Sequence, residues 1–210
     1  DVSMPLGMLS QAKDFNPYDK NENKNIAKIA GNAFSKNLQG YGIKLNKFNE
    51  YKDFIRSYLA CINYADNLVG KILDRLEHTK QIEKTLIVLW SDHGWQLGEK
   101  LNFRKFTLWD RSLRVPLMIS GPSIPVCDIN TPISNIDIAP TILDLLNIEI
   151  PLKFHGKSFK KELKKETKKN SRKFVTSVWT LGRKGEYHKS IKGVSVRTKN
   201  FRYILYSTFE

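Results

Sequence analysis

Apolar residues recur at three- and four-residue steps through Phe54, Tyr58, Ile62, Ala65, Val69, Ile72 and Leu76, and an unbroken apolar run, Leu86 to Trp90, follows shortly after. The first pattern is one face of a long amphipathic helix, predicted over residues 49–79. The second has no polar alternation and fits a strand buried on both faces, as in a parallel sheet. A helix leading straight into such a strand is half of a β-α-β unit, so the middle of the chain is confined to an α/β architecture.

The strand ends in Ser91-Asp92-His93-Gly94. Ligand sites of open α/β sheets lie just beyond the carboxyl ends of strands, so chemistry is expected here. Further on, Phe106–Arg114 reads as a short helix, Val115–Ser120 as a second apolar strand and Gly121-Pro122 as a turn. Ser134 or Asp137 is placed to cap a helix over Ile138–Leu146, with Pro140 tolerated in its first turn. Then the pattern changes. Phe174–Thr180, Gly193–Thr198 and Phe201–Ser207 are strand candidates with no helix between them, which predicts an antiparallel sheet. The expected organisation is a polar connecting segment over 1–49 with one helix near Asn25–Leu38, part of a main α/β domain over 50–150, and the start of a small α+β subdomain over 151–210.

Composition narrows the class. With 40% hydrophobic and 11% aromatic residues in 210, the chain can bury a core and is not disordered as a whole. No apolar run is long enough to span a bilayer. The formal charge of +14 attracts polyanions, and much of it sits in Lys157–Lys173, which reads as a solvated Lys-rich helix or loop, or else as a polyanion-docking patch. Nothing resembles a nucleic-acid-binding module, so no nucleic-acid partner is expected. Cys61 and Cys127 make neither a disulfide framework nor a zinc site, and leave a single bridge open. The chain opens at Asp1 in a stretch bearing Pro and Gly, without Met or a secretory signal, and is expected to be a segment of a longer protein, cut at both ends.

Asp92 and His93 offer a carboxylate oxygen and an imidazole nitrogen, both able to bind a divalent cation. By themselves they fit a turn-capping Asp beside a polar loop His better, and two ligands are too few for calcium. Lys105 is a compact cation suited to a tetrahedral oxyanion, with Arg104 beside it; both fit a basic surface too. Trp95 could line a sugar pocket or pack under the loop. Asp110 and Arg114 are spaced as a structural helical pair.

Taken together, Ser91-Asp-His-Gly-Trp-Gln-Leu-Gly-Glu99, Arg104-Lys-Phe-Thr-Leu-Trp-Asp110 and Arg114-Val-Pro-Leu-Met-Ile119 resemble the sulfatase family, and within it the iduronate 2-sulfatase branch. The shared features are the DHGW-x-LGE opening, a lysine eleven residues after the glycine and the R-VPL-I strand. The likeness extends from Tyr58-Leu-Ala-Cys through Ile136-Asp-Ile-Ala-Pro-Thr and His155-Gly-Lys-Ser-Phe159 to Val196-Arg-Thr, covering about residues 50–210.

This resemblance implies an alkaline-phosphatase-like α/β sandwich with a mostly parallel sheet and a small antiparallel C-terminal subdomain. It implies hydrolysis of a sulfate ester, of a sulfated carbohydrate or of a small ester such as choline sulfate. Asp92 and His93 would be two calcium ligands, Lys105 would contact the sulfate, and Trp95 would lie near the substrate. The family's nucleophile is a formylglycine made within C/S-x-P-x-R. Neither Cys61 nor Cys127 stands in that motif, and Ser123-Ile-Pro and Ser3-Met-Pro lack the arginine, so the nucleophile and the paired aspartates completing the calcium site are expected upstream. The expectation is therefore the C-terminal half of a sulfatase. Family habit suggests a secreted, periplasmic or lysosomal location. The alternatives are a phosphatase, phosphodiesterase or phosphonate hydrolase of the same superfamily, and a non-catalytic polyanion-binding chain.

Overall fold

The computed structural model describes residues 48–99, 103–105, 107–166, 172–180 and 191–206. The helix predicted near Asn25–Leu38 and residues 167–171 of the Lys-rich run lie outside them. The described residues fall into two units.

The first unit carries helix α1 (Phe48–His78), a 3-10 turn (Ile82–Lys84) and one strand pair. The half-buried stripe of α1 runs through Tyr58, Ile62, Val69, Leu73 and Leu76. Ala65 and Ile72, expected on that stripe, are exposed, because a 3.6-residue period carries the face to Asp66 and Leu73 instead. No described helix is long and apolar enough to cross a membrane. Strands β2 (Gln96–Leu97) and β3 (Phe103–Arg104) form a short antiparallel pair.

The second unit begins with β1 (Ile87–Trp90), followed after the site loop by helix α2 (Asp110–Leu113) and β4 (Leu117–Ser120). β1 pairs antiparallel with β4, Ile87 opposite Ser120 and Trp90 opposite Leu117. The local expectation of a parallel neighbour and burial on both faces is not met among the described residues. In this two-stranded ribbon each strand has one partner, and Leu89, Trp90 and Met118 stay exposed.

A 3-10 turn (Asn135–Asp137) then runs into helix α3 (Ile138–Leu145). Ser134 and Asp137 form a capping box, so the expected helix start is found. Asp137 does far more than cap. It is 1% exposed, and its carboxylate accepts from the Ser134 and Lys157 backbone N–H groups at 2.8 Å each and from both terminal nitrogens of Arg172. Its carbonyl accepts from the Thr141 hydroxyl (2.6 Å), which in turn accepts the Phe159 N–H (3.1 Å). Gly156 lies so close to this turn that a Cβ would fall 1.8 Å from the Ile136 carbonyl oxygen. The Lys-rich run is therefore only partly a solvated surface. Phe159 and Leu163, at either end of helix α4 (Lys160–Leu163), are buried. Lys160 reaches the Asp144 carboxylate (3.1 Å), and Arg172 is committed to Asp137.

Strands β5 (Phe174–Thr180), β6 (Ile191–Thr198) and β7 (Arg202–Tyr206) form an antiparallel sheet in that order, as expected. Gly193 of β6 sits against Leu108, 2% exposed, where a Cβ would come within 2.8 Å of the Leu108 side chain. Burial of the Tyr206 ring at the same place pushes its hydroxyl pKa up to about 12. Asp110 is paired with Arg202 (3.0 Å) and, at longer range, Arg197 (3.9 Å), rather than forming the expected pair with Arg114. Arg202 also donates to the buried Ser195 hydroxyl (3.0 Å). Cys61 and Cys127 are both free thiols.

Arg172→Ala would leave a buried carboxylate without its cation, which costs roughly 3–5 kcal/mol. A fall of several degrees in Tm is expected in thermal unfolding; an unchanged Tm would show that the two backbone donors suffice. Asp144 gives a pH prediction. Burial raises its pKa, but the Ser158 hydrogen bond and Lys160 outweigh that and hold it below the ordinary value. A lowered folded pKa contributes stability present above the unfolded value, about 3.9, and lost as pH falls through the folded one. Stability should thus fall less steeply in Asp144→Asn than in the parent below about pH 5. Parallel urea-unfolding curves for the two proteins would contradict this.

Candidate active site

The site is built on the loop after β1, and each carbonyl of Ser91-Asp-His-Gly94 is taken up by a side chain. The Ser91 hydroxyl donates to the His93 carbonyl (2.7 Å). His93 Nδ1 lies 2.9 Å from the Gly94 carbonyl oxygen, to which it donates. Asn135 Nδ2 donates to the Ser91 and Asp92 carbonyls at 3.1 and 3.0 Å. The Gly94 N–H donates to the Ser112 carbonyl of α2 at 2.8 Å. Glycine is required there, since a Cβ would lie 2.0 Å from the Arg111 carbonyl oxygen.

These contacts fix the chemistry of the two candidate ligands. With its proton on Nδ1, His93 carries its lone pair on Nε2. Lys105 Nζ donates to that nitrogen at 2.6 Å, and Asp92 Oδ1 is 3.5 Å from it. The Asp92 side chain is 81% exposed and that of His93 30%. The Trp95 ring lies 6.3 Å from the His93 ring, tilted by 32°. Lys105 is held from behind: its carbonyl accepts the Thr107 N–H (2.8 Å), and the buried Thr107 hydroxyl meets the Ser112 hydroxyl at 2.7 Å. Ser112 of α2 thus ties both arms of the site, through its carbonyl to Gly94 and its hydroxyl to Thr107.

The structure therefore brings Asp92, His93, Trp95 and Lys105 together, although Lys105 is the eleventh residue after Gly94. Arg104 pairs through its backbone with Gln96, and its side chain is outside the described residues. Asn135 and Ser112 escaped the sequence reading. Neither belongs to a local pattern with the loop, and a contact 43 residues away leaves no signal in spacing.

A cation would fit the Asp92–His93 pair as far as the pair goes. Asp92 offers a hard, exposed carboxylate oxygen, whereas the single His93 Nε2 lone pair accepts from Lys105 here and would be open to an ion only with Lys105 displaced. Calcium takes about six to eight ligands. No group of three or more His, Cys, Asp or Glu stands together among the described residues, so the pair by itself is too small for a calcium site.

Comparison with known proteins identifies the group to which this arrangement belongs. The sulfatase family model matches residues 8–148, two thirds of the chain. The chain belongs to the sulfatase family. A second model, the C-terminal region of N-sulphoglucosamine sulphohydrolase, matches residues 98–209. A sulfatase of Formosa agariphila is 33% identical over 75% of this chain and 29% of its own length. The choline-sulfatase of Rhizobium meliloti is 44% identical over 45% of this chain and 19% of its own length. The chain thus spans less than a third of these relatives. Among solved structures, a protein in complex with its substrate D-glucosamine-2-N,6-O-disulfate is 25% identical with a TM-score of 0.64, over 99% of this chain and 44% of that one. The phosphonate monoester hydrolase of Silicibacter pomeroyi is 27% identical with a TM-score of 0.58, over 67% of this chain and 30% of that one. The fold class is accordingly the alkaline-phosphatase-like α/β class expected from the sequence.

Gly94→Ala should push α2 off the site loop, lowering Tm and loosening Lys105 through Ser112. Thermal unfolding of the variant checks this; a parental Tm would mean the helix can withdraw without cost.

Proposed function

We propose that the chain forms part of the active site of a sulfuric ester hydrolase, in which water converts R–O–SO₃⁻ to R–OH, sulfate and a proton. The observation that carries this reading is the meeting of Lys105 Nζ with His93 Nε2 at 2.6 Å, beside the Asp92 carboxylate, in a chain of the sulfatase family. Asp92 and His93 would hold calcium once Lys105, which caps His93 Nε2 here, turns to face the ester sulfate. Trp95 would line the approach to them. Calcium and a formylglycine, when present, would supply charge neutralisation and the nucleophile; no C/S-x-P-x-R motif occurs in the 210 residues, so the nucleophile is assigned to a part of the protein beyond them.

The chain's own residues then have definite tasks. The anchored loop presents Asp92 outward, the Gly94 contact fixes the proton of His93 on Nδ1, and Lys105 would place a positive charge where negative charge builds on the leaving group and sulfate. The substrate class proposed is a sulfated sugar. The glucosamine disulfate bound by the similar solved structure supports it. The choline-sulfatase likeness keeps a small sulfate ester as the alternative. The iduronate-type branch draws its support from the DHGW-x-LGE opening, the lysine eleven residues after the glycine and the R-VPL-I strand alone, and the relatives divide among other sulfatase types. The proposed domain reading assigns 50–150 to the main α/β domain and 151–210 to the small C-terminal subdomain, supported by the confinement of the three-stranded sheet to residues 174–206.

A second reading, phosphonate or phosphate ester hydrolysis, is favoured by the likeness to the phosphonate monoester hydrolase. Rates on an aryl sulfate, an aryl phosphate and a phosphonate monoester decide between them; a preference for either phosphorus ester would replace the sulfatase reading. On the preferred substrate, Lys105→Ala in the full-length protein should lower kcat by about 10²- to 10³-fold with Tm retained. Undiminished turnover would remove Lys105 from the reaction.

A further inference from the structure

We infer that Asn135 is a positioning residue for the cation-binding loop, setting the geometry of Asp92 and His93 without touching ion or substrate. The inference rests on the reading of Asp92 and His93 as calcium ligands. Within Ser91-Asp-His-Gly94 the four carbonyls all have side-chain partners, and two of those partners are internal to the loop: the Ser91 hydroxyl and the His93 ring. Internal bonds curl a loop but do not fix it on the rest of the protein. The Ser91 and Asp92 carbonyls are held from outside, both by the one amide group of Asn135. A single NH₂ bonded to two successive carbonyls requires both to face the same side, which constrains the backbone torsions on either side of Asp92.

Asn135 can serve as a fixed anchor because its own turn is fixed. It is the first residue of the 3-10 turn that ends at Asp137, and the Asp137 carboxylate is buried against Ser134, Lys157 and Arg172. Gly156 packs against the Ile136 carbonyl in the same turn. The Asn135 side chain itself is surface-exposed. Its removal therefore leaves the buried contacts of the turn in place, while the loop loses two of its external hydrogen bonds.

Calcium affinity of the calcium-stripped full-length protein, read by calorimetry, tests this together with the Tm of the stripped form. Asn135→Ala should raise the calcium Kd by about 10- to 100-fold, the usual cost of losing a group that orients metal ligands. The stripped Tm should stay near the parent's. Asn135→Asp, of the same size but with an acceptor in place of the NH₂ donor, should weaken binding at least as much. Asp92→Asn is the control on the underlying reading. If Asp92→Asn weakens calcium binding and neither Asn135 variant does, the inference fails and the site reading stands. If Asp92→Asn leaves the Kd unchanged, the site reading fails and takes the inference with it. A weakened Kd accompanied by a large loss of stripped Tm would make Asn135 a general structural residue and overturn the positioning role.

Discussion

A carboxylate taken out of water must have its lone pairs filled, and Asp137 meets that demand with two backbone N–H groups and the guanidinium of Arg172. The three donors come from separate stretches, at 134, 157 and 172. Satisfying one buried charge therefore draws the turn before α3, the His155-Gly156-Lys157 segment and the approach to β5 to a single point. Thr141 extends the same knot, accepting the Phe159 N–H while donating to the Asp137 carbonyl. The site loop hangs from this knot through Asn135. Its other support is independent: the contact of Gly94 with α2, which Asp110 connects to the C-terminal sheet through Arg202.

That arrangement explains what was legible in the sequence. The elements themselves were, because each rests on local periodicity: α1, the apolar strands, the capped helix and the three strands of the C-terminal sheet lie within a few residues of their expected bounds. The candidate site residues were legible as a string, Asp92, His93, Trp95 and Lys105, because they sit on one loop and its return. What periodicity cannot carry is which side chain crosses to which element. Asp110 looked like the partner of Arg114 because helical spacing favours it, but α2 spans only Asp110–Leu113, and the sheet offers Arg202 with a buried Ser195 behind it. The Lys-rich run looked solvated because charge dominates its composition. Its fold is decided by two apolar residues four apart, Phe159 and Leu163, which turn Lys160 toward Asp144.

The two aspartates that matter most make the physical logic of the site visible. Asp137 is 1% exposed and its oxygens are spent on protein donors, so it has nothing left to offer an ion. Asp92 is 81% exposed. Its backbone carbonyl is bound to Asn135, and its carboxylate is left facing solvent beside an imidazole whose Nε2 accepts from Lys105. A loop that spent the carboxylate on its own backbone would be just as stable and could bind no cation. By using the side chains of Ser91, His93 and Asn135 to hold its carbonyls, the loop leaves the Asp92 carboxylate facing solvent and His93 Nε2 facing Lys105, where an ordinary Asp-capped turn would spend the carboxylate on its own backbone.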